Sequence, residues 1–165
     1  VSFNVTNLLL SLGFAMAQAS GSTLGDDLFI HNLPASASND SAGAAVLRIF
    51  GGPPEGELRP VPMVSVQCMT HALDASAGLQ FAQRLYDALH DTAPGSSGGP
   101  RNHWNVVGKK IDANGDVVND DVTPTWGVRL IGLTSGPPGI IGRGDASSGG
   151  RYEISFNFNV RFTAP

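Results

Sequence analysis

A chain of 165 residues, 41% apolar and 15% charged, is long enough for one domain with a real core and has the composition of a globular protein. Ten Lys and Arg against fourteen Asp and Glu give a formal net charge of -4, which argues against the clustered basic surface that a nucleic-acid grip requires. The single cysteine, Cys68, rules out an intrachain disulfide framework and a multi-cysteine zinc site, and its apolar surroundings in the sequence make it a buried free thiol.

Val1, Val5, Leu8, Leu9, Leu12 and Met16 recur at helical spacing and predict an amphipathic helix over residues 2–19, ending in SGSTLG. Its stretch LLLSLGFAMAQAS also resembles the apolar segment and cleavage site of an export signal, but no Lys or Arg precedes it and the run is too short to span a bilayer. A packed helix is the expectation. Strands follow at about 27–32 and 44–50, separated by the turn-forming loop PASASNDSAG, and GGPPEGELRP makes a stiff turn region. A third strand, about 62–69, puts Val64, Val66 and Cys68 on one face. Asp74 is placed to cap a helix over 74–91, where Leu73, Ala77, Phe81, Leu85 and Leu89 recur every four residues. TAPGSSGGP ends that helix. Asn114-Gly115, between VVGKKI and VV, is a strong hairpin signal and predicts a two-stranded arm over about 104–122. A strand at 125–133 rejoins the main sheet, GPPGIIGRGDASSGG is expected to be a long flexible loop, and the chain closes on a strand at 151–163.

The closing strand is unusually long and carries a two-face code. Tyr152, Ile154, Phe156, Phe158, Val160 and Phe162 share one parity; burying each contributes about 2 kcal/mol, so this face must lie against something, and the two helices are the obvious cover. The opposite parity holds Arg151, Glu153, Ser155, Asn157, Asn159 and Arg161, polar but lightly charged, as suits a wet protein–protein contact as well as solvent. Strands gather around helices without regular alternation. The expectation is a single α+β domain over 1–165: a mostly antiparallel (mixed) sheet, two amphipathic helices on one face, long loops and a hairpin arm.

Motifs that could carry chemistry fall away on inspection. DANGD at 112–116 lacks the glycine position and closing Glu of a calcium loop, so a hairpin turn is expected. RGD at 143–145 is a three-residue match in a Gly-rich loop. His31, His71, His90 and His103 include no pair at the spacing of a helical metal site. GSSGG at 95–99 has the letters of a Gly-x-Ser-x-Gly elbow, but it lies in the Gly- and Pro-rich segment that ends a helix, without the strand-to-helix context an elbow needs, and no phosphate loop occurs. No catalytic residue, cofactor or metal is expected.

Gln67, Met69 and Thr70, then Leu85, Tyr86, Asp87 and Leu89, then Gly150, Arg151, Tyr152, Glu153, Ser155, Asn157 and Phe158 stand in an order and spacing that resembles the tail terminator or minor capsid proteins of long-tailed bacteriophages. The resemblance covers roughly the region from the third strand to the end, with the hairpin arm outside its pattern. It implies a non-enzymatic virion protein: a small α+β subunit, made in the host cytoplasm, that forms a homo-hexameric ring at the head-proximal end of the tail tube. Such a ring stops tube growth, meets the tail tube protein on one side and the head-completion (stopper) protein on the other, and lets DNA pass through its lumen without specific binding. No membrane partner is implied. With this reading, Arg143, Asp145, Arg151, Glu153, Asn157, Asn159 and Arg161, together with Lys109 and Lys110 of the arm, are the candidate contact residues. The alternatives are another neck or tail-completion connector subunit, a secreted β-rich binding module, or a hydrolase without a recognisable motif.

Overall fold

The computed structural model describes residues 4–34, 43–51, 63–133, 136–144 and 150–163. Among these residues two helices, α1 (Val5–Ser20) and α2 (Ala75–Asp87), accompany nine strands: β1 (Leu28–Ile30), β2 (Ala44–Gly51), β3 (Met63–Ala72), β4 (Trp104–Val107), β5 (Lys109–Ile111), β6 (Val117–Asn119), β7 (Thr125–Leu133), β8 (Gly139–Arg143) and β9 (Tyr152–Thr163). The main sheet runs β1-β2-β3-β9-β7-β4, antiparallel except for the β1–β2 pair, and both helices pack on one of its faces. This is the α+β architecture the sequence predicts.

β9 is the spine of the sheet. One of its edges pairs with β3 from Tyr152 to Arg161. The other edge is shared: β7 takes Phe158 to Thr163 and β8 takes Tyr152 to Ser155. Thus β7 and β8 behave as one long strand interrupted between Leu133 and Gly139. Pro137 and Pro138 lie in that interruption, and a proline has no N–H to give to a ladder. The expected loop at 134–150 is corrected here: its Gly139–Arg143 segment is strand, while residues 134, 135 and 145–149 lie outside the described set.

The apolar parity of β9 behaves as its sequence demands. Ile154, Phe156, Phe158, Val160 and Phe162 are all buried, in a layer with Val66 and Cys68 of β3 and Trp126, Val128 and Leu130 of β7. Tyr86 of α2 meets Phe156 edge-on at 5.5 Å between ring centres. Asp74 caps α2 through a 2.7 Å bond from the Ala77 amide to its carboxylate. The expected stripe is buried at Phe81, Leu85 and Leu89, with Gly78 and Ala82 beside it, whereas its first member, Leu73, lies before the helix and is exposed. Gly78 is where α2 crosses the sheet most closely: a Cβ there would come within 2.5 Å of the Ala72 Cβ. The helix also ends at Asp87, four residues short of the expected Asp91, where the His90 and Leu89 amides tighten into turns on Asp87 and Tyr86.

α1 differs from the expected amphipathic helix. Leu8, Leu9, Leu10, Leu12, Met16 and Ala17 are buried around most of its circumference, whereas Val5 is exposed. The reason is the segment expected to project as an arm over 104–122. β4 belongs to the main sheet, pairing with β7 at its edge. Gly108 then turns the chain away, so close to the Thr123 carbonyl that a Cβ would sit 1.9 Å from its oxygen. Only β5 and β6 form the hairpin, and it folds back onto α1. The Lys109 amide donates to the Ser11 hydroxyl at 2.9 Å, and the Lys109 ammonium lies 3.9 Å from the centre of the Phe14 ring. The Asn114-Gly115 signal does mark the turn, with Gly115 at φ 87° and its amide bonded to the Asp112 carbonyl.

Candidate interaction surface

Because both helices cover the inner face, the other face of the sheet is where its polar parity points. β9 supplies Glu153, Ser155, Asn157, Asn159 and Arg161, each half-buried within a single chain. The strand register extends this into rows across neighbouring strands. Ala44, His71, Glu153 and Gly142 form the first, and Arg48, Gln67 and Asn157 another. Gly51, Ser65, Asn159 and Gly132 form a third, held by the Ser65 hydroxyl donating to the Asn159 side-chain oxygen. Met63, Arg161 and Arg129 form the last.

Two of these rows have physical consequences. In the first, burial lowers the pKa of His71, the Glu153 carboxylate opposes that shift, and the Arg48 and Arg151 charges reinforce it. His71 Nε2 and Arg48 Nε are buried without a hydrogen-bond partner. At the third row, β2 and β7 both slip register, between Ile49 and Gly51 and between Leu130 and Gly132. The residues displaced there, Phe50 and Ile131, are 59% and 44% exposed. A polar, weakly charged row therefore lies between two apolar side chains in solvent, the composition of a contact surface with a mixed centre.

The residues expected to make contacts do not all converge. Glu153, Asn157, Asn159 and Arg161 share the outer face of β9. Arg143 stands at the Glu153 end, but its guanidinium lies 4.8 Å from the Tyr152 ring centre and its Nε donates to the Gly150 carbonyl at 2.9 Å. The RGD arginine is thus engaged within its own chain; Asp145 lies outside the described residues. Arg151 immediately precedes β9 and contributes to the field at His71. Lys109 and Lys110 are on the helix side, away from this face. Lys109 bonds Asn119 and covers Phe14, and Lys110 forms an ion pair with Asp121, raising the lysine pKa and lowering that of the aspartate.

Sequence reasoning missed the end of the outer face at β4, β7 and β9. An open cleft of about 480 Å³ there is lined by Asn102, His103, Asn105, Gly127, Arg129, Arg161 and neighbouring atoms of Val128 and Thr163. The signal was present in part. In TWGVRLIGL the buried parity of Trp126, Val128 and Leu130 already turns Arg129 outward. What could not be read was that β4 lies beside β7, and β7 beside the end of β9.

Among the described residues, no three His, Cys, Asp or Glu side chains gather as a metal site. Cys68 is fully buried, and burial pushes its thiol pKa upward, away from the reactive thiolate. Among the same residues no helix is long and apolar enough to cross a membrane. No protein-family model matches the chain, and comparison with curated proteins and with solved structures returns no match.

Proposed function

We propose that this chain is a structural subunit of a bacteriophage tail, a terminator that forms a ring on the head-proximal end of the tail tube. The observation that carries this reading is spatial. The three segments that hold the resemblance, Gln67–Thr70 on β3, Leu85–Leu89 at and just past the end of α2, and Gly150–Phe158 leading into and along β9, are neighbours at the centre of the fold. β3 and β9 pair residue for residue there, and Tyr86 rests on Phe156. Their arrangement leaves a polar outer face with few charges, flanked by exposed apolar residues that include Phe50 and Ile131, suited to repeated contact with identical neighbours.

The mechanism is geometric. One ring face matches the stacking surface of the last tube ring, and the other face does not repeat it, so the tube cannot continue. Heterologous contacts between subunits close the ring by rotation. The second ring face is then free to receive the head-completion protein. Under this reading, a phage carrying a null allele produces tails of uncontrolled length without heads, measured by negative-stain microscopy. Tails of normal length, joined to heads, contradict it.

A further inference from the structure

Arg129 and Arg161 face one another directly across β7 and β9. Like charges opposed in this way are destabilising unless something offsets them. Among the described residues neither guanidinium has an ion-pair, hydrogen-bond or ring partner. The next row aligns Asn105, Gly127 and Thr163 on β4, β7 and β9. Gly127, with no side chain, forms the low point of this row, and the two arginines and His103 stand beside it. The result is a cleft within the size range of ligand sites, with positive charge, amide donors and no carboxylate among its lining residues.

The rest of the chain is acidic, and among the described residues the β5–β6 turn is one of its exposed acidic segments. Asp112 closes that turn by accepting from the Asn114 and Asp116 amides, each at 2.9 Å. Asp116 is exposed at the tip beside Ala113, Asn114 and Gly115. The hairpin packs on α1, on the helix side of the sheet, whereas Arg129 and Arg161 point from the opposite face. The turn therefore cannot reach the cleft of its own chain. We propose that the cleft receives the Asp112–Asp116 turn of a second copy of this chain, placing the carboxylates of the turn between the two guanidinium groups. The contact joins unlike surfaces, so it propagates from copy to copy and closes only if the rotation permits. It deepens the ring reading and rests on it for the identity of the neighbour.

A charge exchange tests the proposal. One variant carries Arg129→Glu and Arg161→Glu. The other carries Ala113→Lys and Asp116→Lys and keeps Asp112, so the turn closes. Circular dichroism verifies that both fold, and light scattering at low ionic strength measures self-association. The expected result is that the wild-type chain associates, each variant alone associates at least about tenfold more weakly, and an equimolar mixture regains association. Wild-type assembly that neither variant weakens, or that the mixture does not restore, overturns this contact and leaves the ring reading standing. A wild-type chain that never assembles, alone or with tail tubes, overturns both.

Discussion

His71 shows how one side chain reports the tension on the outer face. Its imidazole is half-buried in the row with Glu153 and within the fields of Arg48 and Arg151, and burial dominates, holding its pKa below the ordinary histidine value. In the unfolded chain the imidazole titrates near the usual 6.5 or so. Below that pH the unfolded state binds the proton more readily, so this group's contribution to stability is present at neutral pH and is lost as the pH falls through the unfolded pKa and toward the folded one. A His71→Gln chain therefore loses less stability than wild type on acidification from about pH 7.5 to 5, read as the urea midpoint at each pH. Parallel curves for the two proteins contradict the assignment. The same residue marks a limit of sequence reading. Alternation shows that His71 and Glu153 each point outward from their strands, but only the β3–β9 register places them opposite one another.

At the scale of elements, the hairpin and α1 depend on each other. Ser11 is buried in α1; its hydroxyl donates to the Asn7 carbonyl at 2.7 Å and accepts from the Lys109 amide at 2.9 Å. Ser11→Ala leaves the Lys109 amide without its acceptor and is expected to cost about 1–3 kcal/mol. Hydrogen exchange at Lys109–Ile111 and Val117–Asn119 should rise more than exchange in β3 or β9. Uniform loss of protection across all strands would show that the hairpin is not a separately anchored unit. This coupling also explains why α1, a helix as expected, is buried around more of its circumference than its stripe predicts. Its periodic leucines specified a helix, but Leu10 sits off the expected stripe and is buried. A second covering layer from residues about 100 positions later has no local signature in a helix's own sequence. The long strand was legible because its period of two spans twelve residues, and α2 because Asp74 and the Phe81–Leu85 face agree. β8 was hidden by GPPG, whose turn-forming residues mask a strand that merely pauses.

At the scale of the whole molecule, one sheet with a sealed inner face presents its polar side to the surroundings. The inner face needs no partner, since β3, β7 and β9 already bury their apolar parity under α1 and α2. The outer face combines half-buried polar rows, the exposed Phe50 and Ile131, and an arginine cleft whose charge is unmatched within the described chain. These features belong to separate strands, and the pairing that joins them is nonlocal. Individual outward-facing residues were therefore readable from the sequence, but the continuous surface was not. In the proposed ring, these surfaces are the means by which each copy holds the next. The most direct measurement is an electron-microscopy reconstruction of the phage particle, with this chain placed in the density by its twelve-residue β9 spine. The account predicts a single ring of six copies between the tail tube and the head-completion protein, whereas density for the chain at any other level of the particle, or none at all, contradicts it.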